Sequence, residues 1–287
     1  MASKAYDVIT DRILEKLRDG VVPWHKPWNA AEGAPKNLIS KKPYHGVNVF
    51  MLGCQGGSPW WLTYKQAQAL GGQVRKGERG TPIVFWKTFE DENEDGTVDK
   101  CWMLRYSTVF NLNQIDGIEA PKIEGAPEPK TVEPLAAAET LVADMPGCPE
   151  IKHGGSRACY SPSSDEVRMP ERDSFDGSKE YYSTLFHELV HSTGHESRLS
   201  RAGVTSATFF GSADYSREEL VAEMGAAFLC GEVGIENRTI DNSAAYIASW
   251  MKRLHEDSTL VVIAAAQGSK AAKFILGEQQ AEEVIAS

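Results

Sequence analysis

The chain has 287 residues, 41% of them hydrophobic and 24% charged, which is enough apolar material for one large or two modest domains and excludes a disordered or fibrous chain. No apolar run approaches the ~20 residues that cross a bilayer, Met1–Asp7 lacks the apolar core of a signal peptide, and the five cysteines (54, 101, 148, 159 and 230) contain no C-x-x-C. These features speak against a membrane partner, a disulfide frame or a zinc knuckle, and for reduced thiols in a cytoplasmic protein. The net charge of −10 is uneven: residues 1–89 hold 13 Lys+Arg against 6 Asp+Glu, and the other 198 hold 17 against 34, as two chemically different domains would.

In chain order, residues 5–19 place Val8, Ile9, Ile13, Leu14 and Leu17 at helical intervals and stop at Gly20, predicting an amphipathic helix. Pro23-Trp24-His25-Lys26-Pro27-Trp28 is too proline-rich for helix. Thr63 can cap a short helix through Leu70. Thr81–Phe89 and Cys101–Phe110 read as strands, with the acidic stretch Glu90–Asp95 as a hairpin tip. Residues 1–89 also hold five of the seven tryptophans: Trp24, Trp28, Trp60, Trp61 and Trp86. Tryptophan more often fills cores than faces solvent. Cations for phosphates beside flat rings for unstacked bases are nonetheless what a single-strand binder needs. The candidate contacts are Trp24, Lys26, Trp28, Lys41, Lys42, Tyr44, Lys65, Arg75, Lys76 and Arg79. The Pro/Glu-rich stretch 119–134 reads as a linker. The expected organisation is α+β: a small α+β nucleic-acid-binding domain over 1–118, the linker, and a second domain over 135–287.

Beyond the linker, a helix is expected near 135–145 and strands near 149–153 and 157–168. The edge of the latter, through Ala158–Pro170, could pair with an extended peptide. Next comes His187-Glu188-Leu189-Val190-His191, which reads H-E-x-x-H inside a stretch free of Gly and Pro from Glu180. Chance alone produces this pattern in roughly one or two chains in a hundred of such composition. On a helix, residues i and i+4 share one face, so His187 and His191 can reach one metal ion, and Glu188 sits where a general base for an activated water belongs. Gly194 can end the helix. His195 lies ~12 Å from His187 along a continuous helix axis, too far to share the ion, and is assigned to the surroundings of the site. A metzincin would need histidine at 197, where this chain has Ser197.

A second amphipathic helix, Tyr215–Met224, carries Glu218, Glu219 and Glu223. Glu219 is favoured as third ligand, because Glu219-x-x-Ala222-Glu223 is similar to zincins in which the later acid buttresses a ligand histidine. Glu218 and Glu223 stay open as ligands, and Glu218 can equally be solvated. Ser216 and Glu219 also fit a capping box that needs no metal. Helices near 242–256 and 260–276 complete the chain. Zn²⁺ is the expected ion, with another divalent metal such as Mn²⁺ as the alternative.

Taken together, several stretches resemble the ArdC-type antirestriction proteins of plasmids and other mobile elements. They are Gly20–Trp24 with Pro27-Trp28, Pro59–Ala67, Val74–Gly80, Val109–Asn111 with Gln114–Gly117, Thr184–Leu199, Arg217–Glu223, and Ala245–Ile247 with Trp250. The resemblance implies an N-terminal single-stranded-DNA-binding domain, a C-terminal zincin-like metallopeptidase domain, and protection of incoming DNA from host restriction during conjugation. It implies His187, His191 and the glutamate of the Glu219 region as ligands and Glu188 as base. Two other classes compete. One is a module whose metal site is closed by a fourth ligand and structural. The other is stoichiometric blockade of a host restriction enzyme by the acidic half.

Overall fold

The computed structural model describes residues 4–24, 33–92, 98–121, 134–205, 213–235 and 244–278. Helix α1 (Lys4–Arg18) buries Ile9, Ile13, Leu14 and Leu17 on one face, as the periodicity predicts. After it come β1 (Lys36–Asn37), α2 (Val47–Gly53), β2 (Trp60–Thr63), α3 (Tyr64–Ala69), β3 (Gln73–Val74), β4 (Thr81–Glu92), β5 (Val98–Asn111) and β6 (Ile115–Asp116). The Thr63 side chain accepts from Gln66 N while the Gln66 side chain accepts from Thr63 N, a reciprocal cap that fixes where β2 becomes α3. Four strands form a sheet in the order β1-β2-β5-β4, and β4 and β5 make one antiparallel ribbon from Thr81↔Val109 to Glu92↔Val98. The tip, residues 93–97, lies outside the described residues.

The second half begins with α4 (Pro134–Asp144) and continues with β7 (Glu150–His153), β8 (Cys159–Ser161), β9 (Glu166–Met169), α5 (Ser178–Ser192), α6 (Ala202–Thr205), α7 (Ala213–Val233), α8 (Ala244–Glu256) and α9 (Leu260–Ile275). The single strand expected over 157–168 is instead a hairpin: β8 pairs antiparallel with β9, Cys159 opposite Arg168. Pro162 and the left-handed backbone of Asp165 (φ 49°) make the turn. The sheet order is β7-β9-β8, so β8 is an edge.

Helices α5, α7 and α9 stack on one another, and α7 meets α9 where Gly268 has no side chain. A Cβ there would stand 2.9 Å from Gly225 N and 3.0 Å from Val221 O, so the two backbones touch. The cores of the two halves are also continuous. One apolar cluster holds Ile9, Leu14, Trp24, Phe50, Val84 and Leu104 together with Val190, Leu229, Trp250 and Val261. Phe50 stacks on Phe228 at 4.7 Å. The charge asymmetry along the chain is therefore not an asymmetry of cores, because α1 and α2 use apolar faces that composition averages hide. Most of the linker, residues 122–133, lies outside the described residues.

Candidate metal centre

The site rests on α5 and on what holds its C-terminal end. The last carbonyls of a helix lack intrahelical partners. Arg201 donates to Val190 O (2.7 Å) and Thr193 Oγ1 (2.6 Å), and Arg198 donates to Ser192 O (2.7 Å) and Gly147 O (3.0 Å). Arg198 also pairs with Asp165 in the β8–β9 turn, which ties the helix end to the small sheet. The helix stops at Thr193, in right-handed backbone. Gly194 does not end it through a left-handed cap, as the sequence suggested, and serves close packing instead. A Cβ at Gly194 would lie 2.4 Å from Val204 Cγ2.

On this helix His187 and His191 turn their rings to one another, Nε2 to Nε2 at 3.1 Å. Glu219 on α7 completes the group, with Oε2 at 3.6 Å from His187 Nε2 and Oε1 at 3.7 Å from His191 Nε2. One donor atom from each of the three residues falls within 4.8 Å of the others. The three side chains are 17%, 14% and 30% exposed, so the cluster opens to solvent on one side. Burial opposes protonation of His187, yet the hydrogen bond to Glu219 and the charges of Glu188, Glu219 and Glu223 outweigh it and raise the pKa. A field that favours a proton on a buried imidazole equally favours a cation between the rings. Two imidazoles and a carboxylate with a solvent-facing opening are a donor set that fits a divalent ion.

The surroundings of the cluster differ from the sequence expectation. Glu218, which the sequence left open as ligand or solvated residue, is 6% exposed. It takes a hydrogen bond from His191 Nδ1 (3.3 Å) and a two-point contact from Arg201 (3.0 and 2.6 Å). The later acid Glu223, expected behind a ligand histidine, instead accepts hydrogen bonds from Trp24 and Tyr246. His187 Nδ1 has no hydrogen-bond partner among the described residues. His195 makes its side-chain hydrogen bond to Ser197, Nδ1 to Oγ at 2.8 Å. The capping box at Ser216 does not form, since α7 starts three residues earlier. Arg201 is the residue that sequence reasoning missed. Its signal was an arginine pair, Arg198 and Arg201, shortly after the H-E-x-x-H helix, which periodicity does not flag.

Residues 3–110 match the N-terminal domain of anti-restriction factor ArdC, and residues 136–267 match the zincin-like metallopeptidases. An uncharacterized protein, y4eC, of Sinorhizobium fredii is 35% identical over 96% of this chain and 92% of its own. The metal-free crystal structure of the antirestriction protein ArdC from plasmid R388 is 36% identical and superposes with a TM-score of 0.74, over 95% of this chain and 97% of that one. The chain belongs to the ArdC antirestriction family. The Mn(II)-bound structure of the R388 ArdC protein matches as well, at 35% identity and a TM-score of 0.74 over 96% of this chain and 98% of that one. The Escherichia coli DNA primase TraC is 38% identical over 96% of this chain, which spans only 27% of that relative's length. The ArdC-like architecture therefore joins a zincin-like domain to an N-terminal domain in one α+β chain.

In this ArdC-family chain, the structure separates the nucleic-acid candidates. Trp24 is fully buried and is not a stacking platform; its indole N–H is spent on Glu223. Tyr44 is half-buried against Leu52, Trp61, Ile83 and Val109. Lys26 and Trp28 lie outside the described residues. Lys41, Lys42, Lys65, Arg75, Lys76 and Arg79 are exposed. Lys41 sits over the Trp60 ring at 4.6 Å. Arg75 is engaged by Glu78 and Asp116 beside an open groove of about 590 Å³ that Tyr64, Lys76 and Phe110 also line. The β4–β5 ribbon adds residues beyond the ten candidate contacts. On one face are Trp86, Trp102 and Tyr106, 42–46% exposed; on the other are Phe85 and Met103. Lys87 and Arg105 stand over Phe89 at 5.3 and 5.5 Å. Among the described residues no helix is long and apolar enough to cross a membrane.

Proposed function

We propose that the chain is an antirestriction protein that binds single-stranded DNA, protects incoming plasmid DNA from host restriction, and carries a metal-dependent hydrolytic site of the metallopeptidase type. The observation that carries this reading is the convergence of His187, His191 and Glu219 within 4.8 Å, with Glu188 the next residue after His187 on α5. A bound divalent ion, zinc or the Mn(II) seen in the R388 relative, would supply Lewis acidity at a carbonyl and lower the pKa of water toward ~7. Glu188, 8% exposed and next to His187 on α5, accepts the proton at its carboxylate and returns it to the leaving amine. Glu218 orients the His191 ring, and the open edge of β8, packed against α5, suits an extended peptide. The target would be a host restriction enzyme or another host protein.

For DNA, the supporting features are the exposed rings and cations of the ribbon and of the Tyr64–Lys76 groove, which suit base stacking and phosphate contact. Three variants of the full chain test the reading: wild type, Glu188→Gln and His187→Ala, each assayed for metal content and restriction protection. Glu188→Gln is expected to keep the metal and lose protection, whereas His187→Ala loses both. Protection that survives Glu188→Gln would remove hydrolysis from the function and favour stoichiometric blockade.

A further inference from the structure

Glu223 is a titratable group that the hydrolytic reading leaves unused, and its partners come from distant parts of the chain. Trp24 Nε1 donates to Glu223 Oε2 at 3.0 Å across 199 residues of sequence, and the Tyr246 hydroxyl donates to the same oxygen from α8. Trp24 Nε1 also lies 3.4 Å from Tyr246 Oη. Trp250 closes the group, edge-on to Trp24 at 6.3 Å and to Tyr246 at 6.2 Å. Trp24 has no exposed surface, so its N–H bonds to Glu223 without competition from water. Burial raises the Glu223 carboxyl above its ordinary range, and the Tyr246 and Trp24 donors oppose that rise without cancelling it.

Glu223 stands one turn beyond Glu219 on α7, on the same helix face. Holding its carboxylate therefore holds the rotation of the α7 face that presents Glu219. We infer that Trp24 and Tyr246 are positioning residues that act through Glu223, so that Trp24 from the N-terminal half and Tyr246 from α8 together set the divalent-cation affinity of the centre. This inference rests on the metal-site reading above. Groups hydrogen-bonded directly to metal ligands typically contribute 10–100-fold in metal affinity; Trp24 and Tyr246 act one step further out, and the lower end of that range, about tenfold, is expected here.

The test measures Zn²⁺ affinity by competition with a chromogenic chelator, and Mn²⁺ binding by electron paramagnetic resonance, on the full chain. Tyr246→Phe removes one hydroxyl with no loss of ring, and Trp24→Phe removes the N–H. Trp61→Phe is the control, since Trp61 is equally buried at 1% exposure but packs in a different cluster. Tyr246→Phe and Trp24→Phe are each expected to weaken Zn²⁺ binding about tenfold, while Trp61→Phe lowers only the melting temperature of the metal-free chain. In a Glu223→Gln background, Trp24→Phe should add little, because the two act as one unit. Wild-type affinity within twofold for both variants, or full additivity with Glu223→Gln, would overturn the inference. If Trp24→Phe does not fold, Tyr246→Phe decides alone. A wild-type chain that binds neither ion would instead remove the underlying metal reading.

Discussion

Replacing Arg201 with methionine removes a guanidinium that is 8% exposed and makes four hydrogen bonds, two to Glu218 and one each to Thr193 Oγ1 and Val190 O. The methionine fills a similar volume but leaves the Glu218 carboxylate buried without its guanidinium, while the His191 ring still faces it. Breaking a buried ion pair from one side costs about 3–5 kcal/mol, because an uncompensated charge stays behind. That is a large share of the ~5–15 kcal/mol that holds a typical domain together, and corresponds to a fall in melting temperature on the order of 10 °C. The assay is urea unfolding of the metal-free chain, which keeps ion binding out of the comparison. Glu218→Gln in the Arg201→Met background is expected to recover a good part of the loss, since an amide needs no counter-charge. A single variant within about 1 kcal/mol of wild type, or a double variant whose cost is the plain sum, would show that the pair is not the buttress of the α5 end described above.

Arg198 holds the Asp165 carboxyl below its ordinary value of 3.8 by hydrogen bonding, against a smaller opposing effect of burial. A depressed folded pKa contributes stability above the unfolded value and loses it as pH falls through the folded one. The stability gap between wild type and Asp165→Asn should accordingly be full at neutral pH and close below about pH 4; a gap that widened on acidification would contradict the pairing. Gly268→Ala puts a Cβ against backbone atoms at 2.9 and 3.0 Å and should cost about 1–3 kcal/mol in chemical denaturation, with a neutral result showing that α7 and α9 are further apart. Phe85→Ala and Trp102→Ala should each weaken single-stranded-DNA binding by about 1–3 kcal/mol if a base stacks there. The salt dependence of the same assay should have a slope near −0.7 per phosphate contacted, and a flat response would contradict electrostatic binding.

Local chemistry was legible in the sequence. The spacing of His187 and His191 on a helix, the Thr63 cap, the two ribbon strands and the apolar face of α1 all depend on residues within a few positions of each other, and helical or strand periodicity is enough to place them. The family resemblance was legible for the same reason, being carried by short contiguous stretches. What periodicity could not decide was which distant groups would meet. Glu218 and Glu219 are adjacent and alike in chemistry, yet the packing of α7 on α5 turns Glu219 to the Nε2 atoms and Glu218 to Nδ1 and Arg201. Trp24 looked like a basic-domain aromatic because its sequence neighbours are Pro, His and Lys. Only the docking of the N-terminal half on α8 and α9 shows it buried against Glu223. A one-dimensional pattern records which face a residue shares with its neighbours in sequence, and burial and partnership between elements 199 residues apart are decided when those faces pack.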